Sequence, residues 1–242
     1  MKRLFLAFAL LPVLSFAQIG TIETKEKSID FIYQDILYRK TASNEYVLQI
    51  ISSNQFEDKA VHLSLGHSPE EAMQSLANLM DIYNTDEERE FTLQRYSFTI
   101  KNKCLYARHV GYLEYSAGDY RLRQQRLADA MFTLMRASNL PLGKVHLSMY
   151  SVSGHAMFMV FEDYGFRKIA QLKGDFPKLS MEYEIGDIIA DEDVQVIMKC
   201  PTYYNMNQSD FVLVCEHILQ TNKDRQLTQP ASEEEQQNTI NN

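Results

Sequence analysis

The fold is decided by the stretch Val61–Tyr83, which reads VHLSLGHSPEEAMQSLANLMDIY. Its first five residues alternate apolar and polar side chains, which is the period of a half-buried β-strand. The alternation stops at Gly66 and His67, and apolar residues then recur every three or four positions, as on one face of a helix. The stretch therefore predicts a strand, a tight turn and a helix over residues 69–83.

The start of this helix carries its own signals. Ser68 suits the N-cap, because its hydroxyl can accept from an orphan backbone N–H, and Pro69 suits the first helical position. Glu71 lies three residues after Ser68 and completes a capping box, while Glu70 adds negative charge at the positive end of the dipole. An anion could bind here beside His67. The carboxylates would repel it, so the sequence favours a structural role for this turn.

The N-terminus has the pattern of a secretory signal peptide. A basic pair, Lys2 and Arg3, precedes an apolar run over residues 4–14, and small residues precede a cleavage site between Ala17 and Gln18. The run is too short for a stable membrane span, and no later stretch is long enough for one. We expect residues 1–17 to be removed, and the mature chain to be a soluble bacterial protein of the periplasm or exterior.

Composition limits the functions of the chain. The 242 residues carry a formal charge of −8, which becomes −10 when Lys2 and Arg3 are removed. An acidic exported protein is a poor candidate for binding nucleic acid through phosphates. Three cysteines do not make a disulfide framework. In an oxidising compartment two of them could form a disulfide, and Cys200 and Cys215 are the pair nearest in sequence.

Strand patterns joined by short turns fill much of the chain. Residues 153–164 fit a buried strand or a helix, and Ser153 as a cap with Gly165 as a stop favours the helix. Residues 191–193 read as a solvated acidic turn. Residues 210–220 read as a short helix, with a strand over 211–214 as the alternative. Strands are predicted at Ser28–Tyr38, Tyr46–Ile51, Phe91–Ile100, Cys104–Tyr115, Lys144–Tyr150, Phe166–Leu172, Leu179–Ile185 and Val194–Cys200.

The predicted fold class is α+β, with antiparallel meander-like sheets and two clear helices, about 69–83 and 123–138, packed on one face. Residues 18–220 form the globular region, as one domain or as two subdomains dividing near 140–144. Residues 221–242 are rich in Gln, Asn and Glu and are predicted to be a disordered tail. Two echoes indicate a possible duplicated strand–helix unit, namely VHLS at 61–64 and 145–148 and Ala-Met-x-x-Leu at 72–76 and 130–134.

Candidates for chemistry are few. The sequence has no Gly-x-Ser-x-Gly elbow and no HExxH zinc motif, and no cofactor is predicted. His62 and His146 could be neighbours on a sheet face, without the spacing of a metal site. Glu182 and Glu184 share one face of a predicted strand. The predicted ligand or anion site is the cluster Arg121, Arg123 and Arg126, against the alternative that these arginines cover a solvated face.

One segment resembles a known family. A helix from Leu127, the strand KVHLSMYS (144–151) and the element FEDYGFRKI (161–169) are similar to the C-terminal half of a GNAT-type acetyltransferase. The resemblance implies parallel strands that split around a pyrophosphate-binding loop near Arg121–Ala128. That stretch reads RLRQQRLA and lacks the glycines that let the backbone approach a pyrophosphate, so no catalytic residue is carried across.

These observations predict an exported soluble protein, most simply a non-catalytic binding or envelope-associated module. Its partner would be an unidentified protein or an envelope component. One alternative is an exported hydrolase with a site assembled from distant residues. The other is a degenerate GNAT-acetyltransferase-like protein.

Overall fold

The computed structural model describes residues 28–51, 60–85, 88–94, 96–109, 120–150, 156–173, 178–184, 186–203 and 206–228. The predicted signal peptide and residues 229–242 lie outside these ranges. The cleavage of the first segment and the disorder of the second therefore stay predictions. The chain divides into two compact units, Met1–Asn139 (unit 1) and Leu140–Asn242 (unit 2). The predicted α+β class is confirmed, because every described sheet is antiparallel and helices pack beside the strands.

Unit 1 contains the same order of elements twice. Each half is a four-stranded antiparallel meander followed by a helix. The first half comprises β1 (Ile29–Tyr33), β2 (Leu37–Lys40), β3 (Glu45–Ile51), β4 (Ala60–Gly66) and α1 (Pro69–Asn84). The second half comprises β5 (Arg89–Leu93), β6 (Tyr96–Lys101), β7 (Cys104–His109), β8 (Tyr120–Arg123) and α2 (Gln124–Ala137).

Two predicted strands of unit 1 are each two strands. The prediction of one strand over Ser28–Tyr38 is wrong, because the chain turns between β1 and β2. The prediction of one strand over Phe91–Ile100 is wrong in the same way between β5 and β6. At the equivalent point of each turn a glutamine takes a positive φ, 44° at Gln34 and 54° at Gln94. Neither turn contains Gly or Pro, so the sequence does not show the break.

The predicted start of α1 is confirmed, with one change. Ser68 Oγ accepts a hydrogen bond of 3.1 Å from Glu71 N, and Pro69 is the first helical residue. The Glu71 carboxylate, however, accepts from His67 N at 2.7 Å rather than from Ser68 N. Gly66 adopts φ 126°, and a Cβ there would lie 2.6 Å from Glu71 Oε2, so this turn requires glycine. His67 is thus part of the turn that joins β4 to α1.

The core of unit 1 lies between its sheets and helices. The two helices contact each other, and the buried Tyr83 hydroxyl of α1 donates to Leu122 O of β8 at 2.7 Å. When the first residues of α1 and α2 are aligned, their buried positions coincide. Ala72, Met73, Leu76 and Met80 then correspond to Leu127, Ala128, Met131 and Met135, all of them buried. This repeated pattern supports a duplicated unit, which stays a prediction.

The described part of unit 2 has one antiparallel sheet, in the order β12-β11-β10-β9, and two helices. None of the helices in the described ranges is long and apolar enough to cross a membrane. The elements are β9 (Val145–Tyr150), β10 (Ala156–Phe161), a 3-10 turn (Glu162–Tyr164), β11 (Phe166–Leu172), α3 (Asp191–Met198), β12 (Thr202–Tyr203) and α4 (Gln208–Thr228).

Several predictions for unit 2 are wrong. The helix favoured over 153–164 is strand β10 from residue 156 to 161, with alternate residues buried against the core. The described part of Leu179–Ile185 has no strand, and Val194–Cys200 lies largely in helix α3. The acidic residues 191–193 are the first turn of α3, where the dipole favours negative charge. Of the two alternatives for residues 210–220, helix or strand, the structure has the helix, which runs from Gln208 to Thr228.

Candidate functional site

The candidate site is an open cleft in unit 2 between the start of α3 and the last turns of α4. Its volume is about 320 Å³. A smaller cavity of about 20 Å³ adjoins it and reaches His146 on β9. We call the larger space the α3–α4 cleft, and its lining residues are Ile188, Ile189, Ala190, Asp191, Glu192, Asn222, Arg225 and Gln226.

Helix α4 forms one wall of the cleft. Its buried stripe runs through Phe211, Cys215 and Ile218 at helical spacing, and the next position of that stripe is Asn222. Asn222 is only 7% exposed. Its Nδ2 donates to the Ile189 carbonyl at 2.9 Å and to an Asp191 carboxylate oxygen at 2.8 Å. A buried amide thus occupies a position of the apolar stripe, and its two hydrogen bonds connect α4 to the opposite wall of the cleft.

The opposite wall is the irregular segment before α3, and Asp193 holds it. This carboxylate is 4% exposed and accepts from the Ser180 backbone N–H at 2.9 Å, from the Ser180 hydroxyl and from Tyr183 Oη at 2.7 Å. Tyr183 Oη in turn accepts from Ala190 N at 3.1 Å. Burial opposes ionisation of Asp193, but the bonds from Ser180 and Tyr183 outweigh it and lower its pKa. The wall is thus fixed by hydrogen bonds rather than by a sheet.

Opposite charges line the cleft without pairing with each other. Arg225 lies in the last turn of α4, and Asp191 and Glu192 lie in the first turn of α3. Asp191 already accepts from Asn222, but within the described ranges no ion pair joins Arg225 or Glu192 to any partner. A ligand that enters the cleft can therefore meet a guanidinium and a carboxylate that have no ion-pair partner among the described residues.

The Asn222 side chain also offers an acceptor to the cleft. Its Nδ2 is engaged on both sides, whereas its Oδ1 accepts no hydrogen bond from the described residues. Among these residues no sealed side-chain oxygen or nitrogen lacks a partner, so this Oδ1 is not fully enclosed, and Asn222 lines the cleft. The site combines a cationic donor, an anionic acceptor and a neutral acceptor.

His146 lines the smaller cavity and pairs with Glu162, which is not among the residues that line it. His146 Nε2 lies 2.8 Å from Glu162 Oε2, and Lys144 Nζ lies 3.9 Å from Glu162 Oε1. The hydrogen bond from His146, and then the charge of Lys144, lower the Glu162 pKa. Thr221 also lines this cavity, but its hydroxyl donates to a backbone carbonyl of α4. No described hydroxyl or thiol is hydrogen-bonded to His146.

The predicted arginine cluster divides between two environments in unit 1. Arg121 and Arg123 lie on the exposed face of β8, on either side of the buried Leu122, and have no described carboxylate partner. Arg126 lies in the first turn of α2 and donates to Gln34 Oε1 at 2.8 Å. Its guanidinium also lies 3.5 Å from Asp35 Oδ1. Anion binding by these three arginines stays a prediction.

His62 and His146 lie in different units. In unit 1, Tyr38 Oη lies 3.1 Å from Nδ1 of His62. Among the described residues no three His, Cys, Asp or Glu side chains form a metal cluster. All three cysteines are free thiols. Burial raises the pKa of Cys200, and it raises that of Cys215 to about 12, so Cys215 is a weak nucleophile.

The described strands around the acetyltransferase-like segment are antiparallel within their sheets, and β8 and β9 belong to different sheets, so the acetyltransferase-like interpretation stays a prediction. Strand β8 pairs antiparallel with β7, and β9, β10 and β11 pair antiparallel with one another. The segment Leu127–Leu172 also spans the boundary between the two units. Gly165, in the most similar element, has φ 67° and ends the 3-10 turn.

Comparison with known proteins adds no relative: no family model, no curated protein and no solved structure matches this chain. The fold and the geometry of the cleft therefore carry the functional argument.

Sequence reasoning missed the main lining residues of the cleft. Asn222 and Arg225 fall within the stretch predicted to be a disordered tail, and Asp191 within a predicted solvated turn. A signal was nevertheless present, because positions 218, 222 and 225 continue the helical spacing of the apolar stripe. Because the residues at positions 222 and 225 are polar, the apolar pattern ends at residue 218 and does not predict the rest of the helix.

Proposed function

We propose that this chain is an exported, non-catalytic binding protein that holds a small ligand in the α3–α4 cleft. The observation that carries the proposal is the convergence on one open cleft of the Asn222 amide and of Arg225 and Glu192, neither of which has an ion-pair partner among the described residues. Ligand sites are typically concave, mostly apolar and equipped with a few placed polar groups, with volumes of roughly 300–1,000 Å³. The α3–α4 cleft combines apolar and polar lining residues, and its volume lies at the small end of that range.

A hydrolase is the second candidate, and the His146–Glu162 pair is the observation that favours it. A carboxylate that orients a histidine is a recurring part of nucleophilic catalysis. The pair lacks a hydrogen-bonded nucleophile among the described residues, which is why we place binding first. His146→Ala separates the two functions. It should abolish turnover in a hydrolase, whereas a binding protein should keep its affinity within about threefold, since His146 lies outside the larger cleft.

Export is part of the proposal and rests on the basic and apolar N-terminal pattern alone. The test is the N-terminal residue of the protein purified from the organism that makes it. A mature chain that begins at Gln18 supports export. A chain that retains Lys2 and Arg3 in the cytoplasmic fraction contradicts it.

Equilibrium dialysis tests the binding function. The full chain is dialysed against a small-molecule extract of the source cells, and the retained compounds are identified by mass spectrometry. Gln226→Trp places a bulky ring in the cleft, whereas Gln220→Trp makes the same change at an exposed position of α4 outside it. We expect at least one compound to be retained by wild type and Gln220→Trp and lost with Gln226→Trp. No retained compound, or equal retention by both variants, contradicts the proposal.

A further inference from the structure

We infer that the ligand of the α3–α4 cleft is a small zwitterion with a free carboxylate and a free ammonium group, namely an amino acid or a dipeptide. This inference rests on the proposed binding function and specifies its ligand class. It follows from the separated charges of the cleft and from the apolar surface between them.

The carboxylate of such a ligand would bind Arg225. A guanidinium presents its donors in a planar fork that matches a carboxylate and stays charged at all relevant pH values. Arg225 has no carboxylate partner in the described part of the chain, so its donors are available.

The ammonium group of the ligand would bind the acceptors beside Arg225. Glu192 is exposed and has no ion-pair partner in the described ranges, and the Oδ1 atom of Asn222 accepts no described hydrogen bond. An ammonium needs up to three acceptors, which a carboxylate and an amide oxygen can supply. Unpaired charges of opposite sign that line one cleft are complementary to a ligand carrying both signs.

The shape of the cleft limits the ligand to a small molecule with an apolar part. The volume of about 320 Å³ excludes a long peptide. Ile188 is 62% exposed and lines the cleft together with the buried Ile189. An apolar side chain of the ligand would cover Ile188 and remove its exposed surface from water. The chemistry therefore favours an amino acid such as leucine, or a dipeptide that ends in one.

Isothermal titration calorimetry with the full chain tests the inference. The probes are L-leucine, glycyl-L-leucine, N-acetyl-L-leucine and L-leucinamide. We expect leucine or the dipeptide to bind. We expect N-acetyl-L-leucine, which lacks the ammonium, and L-leucinamide, which lacks the carboxylate, to bind about tenfold to a hundredfold more weakly, as for the loss of one charge-assisted hydrogen bond.

Charge-removing variants assign each end of the ligand to a residue. Arg225→Gln should remove the preference for leucine over leucinamide, and Glu192→Gln should remove the preference for leucine over its N-acetyl form. Lys223→Gln and Glu216→Gln are matched controls on exposed positions of α4 outside the cleft, and both should behave as wild type.

The outcomes separate the ligand class from the binding function. Equal affinity for all four probes, or no binding of leucine and of the dipeptide, overturns the inference. If dialysis against the extract still retains a compound that lacks one of the two charges, the binding function is supported and only the zwitterion inference fails. If the extract also yields no retained compound, both fail.

Discussion

The two units of the chain are stabilised in different ways. Unit 1 repeats a meander and a helix, and its core is almost entirely apolar. Unit 2 contains an irregular segment before α3, which the buried polar side chains Asp193 and Asn222 hold in place. The candidate cleft lies beside that segment. The comparison indicates that regular packing provides the scaffold, whereas polar anchors shape a surface that can recognise a ligand.

The largest effect is expected in the apolar core of unit 1. Leu76 is fully buried in α1, and Leu76→Ala removes its contacts and leaves a cavity. We expect the free energy of unfolding to fall by about 3 kcal/mol. Asn78→Ala, on the exposed face of the same helix, should change it by less than about 0.5 kcal/mol. Urea unfolding measures both. Equal effects of the two changes would mean that this helix face is not packed.

A second substitution tests the polar anchor of unit 2. Asp193→Asn removes the charge that receives hydrogen bonds from Ser180 and Tyr183, and we expect a loss of about 2 kcal/mol. Glu192→Gln is the matched control, because Glu192 is the exposed neighbour without a described partner. Urea unfolding should show almost no effect of the control. If both variants behave alike, the irregular segment does not depend on Asp193.

The contribution of Asp193 should also depend on pH. Its pKa in the folded chain lies below the usual value of about 3.9. The unfolded state therefore binds the proton more readily, and the stabilisation is complete above about pH 5. It is lost as pH falls through the folded pKa. The difference in unfolding free energy between wild type and Asp193→Asn should thus be constant from pH 5 to 7 and shrink below pH 4. A difference that grows on acidification would contradict the lowered pKa.

A smaller effect distinguishes the two helix starts of unit 1. Ser68→Ala removes the side-chain cap of α1 and should cost about 1 kcal/mol. Helix α2 has Arg123 at its N-cap, without a side-chain hydrogen bond. Arg123→Ser should therefore stabilise the chain by up to about 1 kcal/mol. Thermal unfolding under identical conditions measures both changes. Destabilisation by Arg123→Ser would show that the arginine has another structural contact.

The smallest expected effect concerns the thiols of unit 2. Cys215 is buried with a pKa of about 12, whereas Cys200 is half-buried. Because the thiolate is the reactive form, iodoacetamide at pH 8 should label Cys200 slowly and leave Cys215 unmodified in the native chain. Peptide mass spectrometry measures the labelling. Rapid labelling of Cys215 would mean that α4 opens readily.

The sequence predicted the scaffold better than the candidate site, for physical reasons. The cap at Ser68 and the apolar face of α1 are local signals that agree with the packed structure. The turns at Gln34 and Gln94 were missed because non-glycine residues take positive φ there. The start of α3 was missed because burial of Asp193 depends on Ser180 and Tyr183, which lie more than nine residues earlier in the chain. The partners of Asn222 are more distant still.

The most direct test of the central claim is a two-dimensional 15N–1H NMR titration with the compound retained in dialysis. We expect the amide shifts to move at residues 187–192 and 222–226 around the cleft, and those of Arg121 and Arg123 in unit 1 to stay unchanged. Shifts confined to the exposed face of β8, with no change around Asn222, would contradict the claim and would place the ligand on the predicted arginine cluster instead.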